Sequence, residues 1–402
     1  MAAIPYEAST TLADLIPLAA PCLEGRAWDY IRECLDSNWV SSAGPYVSRF
    51  ERMVADYLGV PYAVATVNGT AALHIALLVA GVQPDEEVLV STLTFIASAN
   101  AVRYVGAWPI FIDADPQYWQ MDPEAVVCFL QRECQWRNGA LYNRHTRRRV
   151  KAILPVHILG HPVHLEPILQ LARKYDLLVI EDAAEALGAF YKECPVGCLG
   201  DIACFSFNGN KIITCGGGGM LVTRRADWAE RARYLTTQAK DDPVEYIHCH
   251  LGYNYRLTNL QAALGCAQME KLDEFVQRKR QLARYYSEHL ADLPGLVLPA
   301  EAPWAKSTYW LYTILFQDKN CISQSREVMR WLRQQGIECR PLWQPLHRSP
   351  VYSQLPRRIC PVADRLYQQA LSLPSSVGLT CEQQERVIHA LKTWRSSSNA
   401  AA

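Results

Sequence analysis

The stretch "CFSFNGNKIITCGGGGML", residues 204–221, sets one lysine, Lys211, between a β-like run and four consecutive glycines. Similar apolar runs recur on both sides of it. "YAVATV" (62–67) precedes the helix-like "AALHIALLVAGV", "EVLVSTLTF" precedes "IASANAVRYVG", and "KAILPVHI" precedes "LEPILQLARKYD"; "LLVIED", "IACFSF" and "GGMLVT" follow. Short β-like runs separated by helical crossovers predict a mostly parallel sheet with helices on both faces, an α/β fold. That pattern occupies residues 25–275, after an N-terminal extension, 1–24. From 276 to 395, "TYWLYTILF" and "SREVMRWLRQQG" predict a smaller α+β domain, and the tail "SSSNAAA", 396–402, is expected to be disordered.

Whole-chain properties narrow the function. Half of the 402 residues are hydrophobic, enough for a large core. Lys+Arg and Asp+Glu both number 40, so no net field favours nucleic acid or an anionic membrane. The first basic residue is Arg26, unlike the charged start of a signal peptide, and no apolar run approaches the roughly 18 residues of a membrane span. The expected location is the cytoplasm. Fourteen cysteines, scattered without zinc-site pairing, read as free thiols. His157, His161 and His164 in "VHILGHPVH" are interrupted by Gly160 and Pro162, and with "IHCH" (247–250) they give no reason to expect a metal.

The chemistry-bearing residues converge on one edge of the expected sheet. "VIEDAAEALG" ends a buried run with Glu181 and Asp182, where open α/β sheets hold ligands. "TVNGTAAL" ends another in Asn68-Gly69-Thr70 and opens a helix, whose free N–H groups and dipole suit a phosphate. Ser206 supplies a hydroxyl five residues before Lys211. Pyridoxal 5'-phosphate (PLP) would use all of these: lysine for its aldehyde, a carboxylate for its ring nitrogen and the helix start for its phosphate. The glycines at 216–219 are expected either to let the backbone turn behind Lys211, leaving space for a bulky substrate, or simply to turn a hairpin into "MLVT".

Seven ordered stretches carry a family resemblance: "WVSSAGPYVSRFE", "VNGTAALHIAL", "STLTFIASANAV", "PVHILGHPVHLEPI", "VIEDAAEALGA", "SFNGNKIITCGGGGMLVT" and "LGYNYRLTNLQAALG". Over nearly its full length the chain resembles the DegT/DnrJ/EryC1/StrS family of fold-type I PLP-dependent sugar aminotransferases. The resemblance implies that Lys211 joins the cofactor covalently, that Asp182 pairs with the pyridine nitrogen, and that Gly69, Thr70 and Ser206 hold the phosphate. It places Phe95 on the face of the ring, Glu185 near the 3-hydroxyl, and Asn254, in "GYNYRL", on the phosphate of a neighbouring subunit in a homodimer. His347, in "RPLWQPLHRSPVY", matches a position close to the sugar.

The implied reaction passes the amino group of L-glutamate to a nucleotide-linked keto-sugar for surface-glycan synthesis. "NGNKIITCGGGGM" resembles the branch acting at C4 of 4-keto-6-deoxy sugars, which makes a UDP-linked 2-acetamido-4-keto-6-deoxyhexose the first expectation and a GDP-linked 4-keto-6-deoxymannose, as in perosamine synthases, the second. Two other readings, a dehydratase with histidine in place of the lysine and a non-catalytic regulatory or binding protein, are opposed by Lys211, Asp182 and Ser206.

Overall fold

The computed structural model describes residues 15–242, 244–317, 321–356 and 358–400. Among them seven strands form the principal sheet: β1 (Tyr62–Thr66), β2 (Glu87–Ser91), β3 (Trp108–Ile112), β4 (Val150–Leu154), β5 (Leu178–Asp182), β6 (Ile202–Ser206) and β7 (Gly219–Thr223). Their spatial order is β1-β7-β6-β5-β4-β2-β3. Every pairing is parallel except the two made by β7, which returns from β6 as a hairpin and lies antiparallel to β1 as well.

Burial on both faces explains why these strands read as continuous apolar runs rather than alternating ones. Val88 and Val90 enter the core beneath the helices Gly69–Val79, Ala97–Tyr104 and Ala226–Thr236. Leu89, between them, enters the opposite core with the helix Leu165–Lys174, and that face continues under the helices Pro45–Leu58 and Asn259–Met269. Each fully buried side chain of this kind stabilises the fold by roughly 1.5–3 kcal/mol, so the strand runs hold their register firmly.

A second, three-stranded antiparallel sheet joins Leu296–Val297, Tyr312–Phe316 and Ala370–Leu373. Its core takes Tyr312, Ile314, Phe316, Leu371 and Leu373 with Val328, Leu332, Val387 and Leu391 from the flanking helices. The helix Leu272–Leu290 serves both cores: Leu272, Phe275 and Val276 pack under the large sheet, and Leu282, Tyr286 and Leu290 under the small one. The boundary expected at 275/276 therefore falls inside one helix.

The N-terminal extension is described only from residue 15, and there Ile16 packs into the small core, bonded to Gly336 and Glu338. The tail departs from expectation. The helix Cys381–Ala400 runs through 396–400, because extending a helix already nucleated by "CEQQERVIHALKTWR" adds one hydrogen bond for each residue fixed. Residues 401 and 402 lie outside the described residues. Cys134–Arg137 and Ala140–Asn143 form a hairpin that turns at Asn138-Gly139, and the basic stretch "RHTRRRVK" (144–151) leads from it into β4.

Candidate active site

The connection between β6 and β7 carries Lys211, and its last residues return beside the end of β1, where Gly218 bonds to Val67. Beyond β1, Asn68 caps the helix Gly69–Val79 by accepting the Ala71 N–H at 2.8 Å. The first-turn N–H groups of Gly69 and Thr70 have no intrahelical acceptor and stand at the positive end of the helix dipole. A Cβ at Gly69 would lie 2.9 Å from Ser206 Cβ, so the glycine lets Ser206 come up against the turn. The glycines after Lys211 act on the same turn. A Cβ at Gly219 would lie 2.4 Å from the Asn68 carbonyl oxygen and 2.7 Å from the Gly69 nitrogen. Gly218 donates its N–H to Val67 at 2.9 Å and holds φ at +115°, where other residues are strained. Close approach to the helix start at Gly219, together with the hairpin, is thus part of what this run permits, whereas a Cβ at Gly216 would meet open space.

Pleating separates the two strand-end acids. Glu181 points into one face, where it accepts the N–H groups of Gly197, Leu199 and Gly200 and the Nε2–H of His157 at 3.0 Å. His157 Nδ1 accepts from Val163, so its proton sits on Nε2. Burial alone would raise the Glu181 pKa, but His157 and these N–H groups outweigh it and bring it below the ordinary value. Asp182, 4 % exposed, looks the other way. Its Oδ2 accepts the Ser98 hydroxyl at 2.7 Å and its Oδ1 the Ala184 N–H at 3.1 Å. Burial raises its pKa against the opposing pull of Ser98, Ala184 and Lys211.

Glu185 completes the cluster. Its Oε2 accepts the Leu159 N–H at 2.8 Å, and its Oε1 lies 3.6 Å from Lys211 Nζ. Burial pushes its pKa up to about 7, opposed by Lys211 and the Leu159 N–H. Lys211 Nζ also stands 4.2 Å from the centre of the Trp310 ring. Two buried carboxyls, one of them 3.6 Å from the lysine, and an open helix start fit PLP: a protonated ring nitrogen would supply a countercharge to Asp182, and the phosphate would suit the Gly69-Thr70 turn.

The remaining expected residues are spread more widely. Phe95, just before the helix Ala97–Tyr104, keeps 51 % of its surface exposed, and Asn254 is also exposed, in a bridge with Thr237. His347 is partly buried, with both ring nitrogens engaged: Nδ1 is 2.8 Å from Thr92 Oγ1 and Nε2 is 3.3 Å from Asp364 Oδ1. A sugar contact through this ring requires breaking one of those bonds. His161 and His164 go separate ways, the first accepting from the Ala302 N–H and the second stacking on Trp304. Ser98, Leu159 and Trp310 complete the surroundings of the three central side chains, and sequence reasoning singled out none of them. "IASANAV" and "TYWLYTILF" read only as a helix and a buried strand.

A lysine 3.6 Å from a buried carboxyl just beyond a strand that ends in a second buried acid, on a sheet that also carries a helix start with free N–H groups, is the arrangement of a PLP-dependent enzyme of the fold-type I class. The family model of the DegT/DnrJ/EryC1/StrS aminotransferases matches residues 21–392. The GDP-perosamine synthase of Caulobacter vibrioides is 41 % identical over 378 residues, 94 % of this chain and 97 % of that one. That of Escherichia coli O157:H7 is 40 % identical, covering 92 % of this chain and 95 % of its own. Among solved structures, the aminotransferase TlmJ from Streptoalloteichus hindustanus superposes with a TM-score of 0.86 at 28 % identity, over 96 % of this chain and 100 % of that one. The chain belongs to the DegT/DnrJ/EryC1/StrS aminotransferase family and is a PLP-dependent sugar aminotransferase.

Proposed function

We propose that the protein transfers the amino group of L-glutamate to C4 of a GDP-linked 4-keto-6-deoxymannose, in the manner of a perosamine synthase. The observation that carries this is the likeness, at 40 % and 41 % identity and nearly full length, to two GDP-perosamine synthases. It turns the order of substrates expected from "NGNKIITCGGGGM" around, placing the UDP-linked 2-acetamido sugar second. Glycan synthesis in the cytoplasm is the setting we infer.

The chain's own residues divide the work. Gly69, Thr70 and Ser206 would donate to the cofactor phosphate, and Phe95 would cover one face of the ring. When bound, PLP supplies an aldehyde that takes up an amine and a ring that accepts the electrons released at the adjoining carbon. Asp182 would keep a proton on the ring nitrogen, which would make the ring electron-accepting. Ser98 and the Ala184 N–H fix the carboxyl for that purpose. Glu185 would lie near the 3-hydroxyl. Lys211 would be the residue that joins PLP, and its Nζ would be the group that holds and moves the proton during the transfer. We further infer a homodimer in which Asn254 reaches the phosphate of the neighbouring subunit, its exposure within one chain supporting that role.

The test is turnover of the two nucleotide sugars with glutamate and PLP, the products identified by mass. The GDP-linked ketone is expected to react with at least about tenfold higher kcat/KM, a difference of about 1.4 kcal/mol in transition-state binding. Equal or faster reaction of the UDP-linked sugar overturns the assignment of substrate, and failure of both overturns the position of the carbonyl.

A further inference from the structure

Trp310 is fixed from three directions, and each leads to the site or its supports. Its indole Nε1 donates to the Asn210 carbonyl at 2.7 Å, part of the peptide that leads into Lys211. Its ring face lies 4.2 Å from Lys211 Nζ. Its own carbonyl accepts from Lys279 Nζ at 2.6 Å. Lys279, on the helix Leu272–Leu290, is 3 % exposed and donates as well to the carbonyl of Ser375, just beyond the strand Ala370–Leu373. Burial pushes its pKa down to about 7, yet an amine in either charge state has the two N–H donors these carbonyls require. The polar ends of Lys279 and of the Trp310 indole are therefore spent on backbone carbonyls, one of them at Lys211.

We propose that Trp310, held in place by Lys279, is a positioning residue for Lys211: the indole N–H pins the peptide carrying the lysine, and the ring face sets where its nitrogen rests beside Glu185. This rests on the reading of Lys211 as the lysine that PLP joins. Two effects are separable. The N–H governs how well the nitrogen is aimed, which appears in kcat. The ring face, together with the carboxyls of Glu185 and Asp182, favours a positive charge on the nitrogen once it is joined to the cofactor, so loss of the ring is read in the pH titration of the cofactor's own absorption.

The experiment compares Trp310→Phe, Trp310→Leu and Lys279→Met as PLP-loaded enzymes, following kcat, KM and the pH titration of the cofactor's visible absorption, with Lys211→Ala as control. Trp310→Leu is expected to lower the absorption midpoint by about 0.4–1.5 pH units, the range expected for loss of a cation–π contact. Its kcat is expected to fall about tenfold or more, with KM for glutamate held within about twofold. Trp310→Phe keeps the ring, so its midpoint should stay within about 0.3 pH units of the parent, while kcat still falls. Lys279→Met, if it folds, should change both readouts in the same direction as Trp310→Leu; if it does not, the two Trp310 variants decide alone. A folded, PLP-loaded Trp310→Leu with the parental midpoint and kcat overturns the proposal. A raised KM at an unchanged midpoint also overturns it, making the indole a wall of the substrate site. Turnover by Lys211→Ala overturns instead the reading beneath, whereas an inactive Lys211→Ala beside an unaltered Trp310→Leu removes only the positioning role.

Discussion

Replacing Glu185 by glutamine should change how the stability of the cofactor-free protein depends on pH. The carboxyl is 6 % exposed, and burial lifts it from an ordinary 4.5 to about 7. Between those values it is protonated in the native chain and ionised in the unfolded one. The native state thus binds more protons there, and stability falls as pH rises. At about 1.4 kcal/mol per pH unit, that gap is worth about 3 kcal/mol, fully lost once the pH passes about 7. Glutamine can still accept the Leu159 N–H through its amide oxygen, so the variant keeps the contact and loses the titration. The assay is urea unfolding at pH 5, 6, 7 and 8, at one chain concentration so that any association contributes equally. The parent should lose about 2.5 kcal/mol more than Glu185→Gln between pH 5 and pH 8, because part of the total is already lost at pH 5, where the unfolded carboxyl is mostly ionised. Burial raises Asp182, Glu87 and Asp122 too. Those slopes largely cancel in the comparison, although Asp182 also feels the Glu185 charge. Parallel profiles for the two proteins would refute the reasoning, because they would mean that Glu185 is ionised in the native chain across this range.

Other outcomes follow from the same geometry. Asp182→Asn should keep the fold, because an amide oxygen can still accept from Ser98, while turnover drops by about 100-fold or more for want of a countercharge; wild-type rates would place the ring nitrogen elsewhere. Gly219→Ala should weaken PLP binding at least about tenfold and destabilise the chain by about 1–3 kcal/mol, since its methyl meets backbone atoms that cannot swing away; equilibrium dialysis and thermal unfolding check both. Mixing impaired Asn254→Ala chains with inactive Lys211→Ala chains under subunit exchange should raise activity above the parental average, because one site of the mixed dimer has both intact residues. Activity that stays at the average after demonstrated exchange would mean that Asn254 acts within its own chain.

The strands were legible in the sequence because most are buried on both faces and so stand out as unbroken apolar runs. The hairpin at 134–143 was not read, although "NG" at its turn is a strong signal for one. At the site, the lysine, the strand-end acids and the helix start announced themselves through residue type and position. Their supports did not. Ser98 reaches Asp182 across 84 residues of chain and Trp310 reaches Asn210 across 100, and no local pattern encodes such a meeting. The glycines were ambiguous for a related reason: the backbone that Gly219 presses against, Asn68-Gly69, belongs to a distant segment. Likewise, alternation along β5 says that Glu181 and Asp182 face opposite ways, but only the packed helices show which face leads to Lys211.

The helix Leu272–Leu290 is 19 residues long, set at one end in the core of the large sheet and at the other in that of the small one. At 1.5 Å per residue it is a rod of about 28 Å. Neither half can melt while the other stays whole without breaking hydrogen bonds in its middle turns, where Lys279 is also anchored. The two cores should accordingly lose structure in one cooperative step, and the amides along the centre of that rod should exchange with solvent as slowly as those of the central strands.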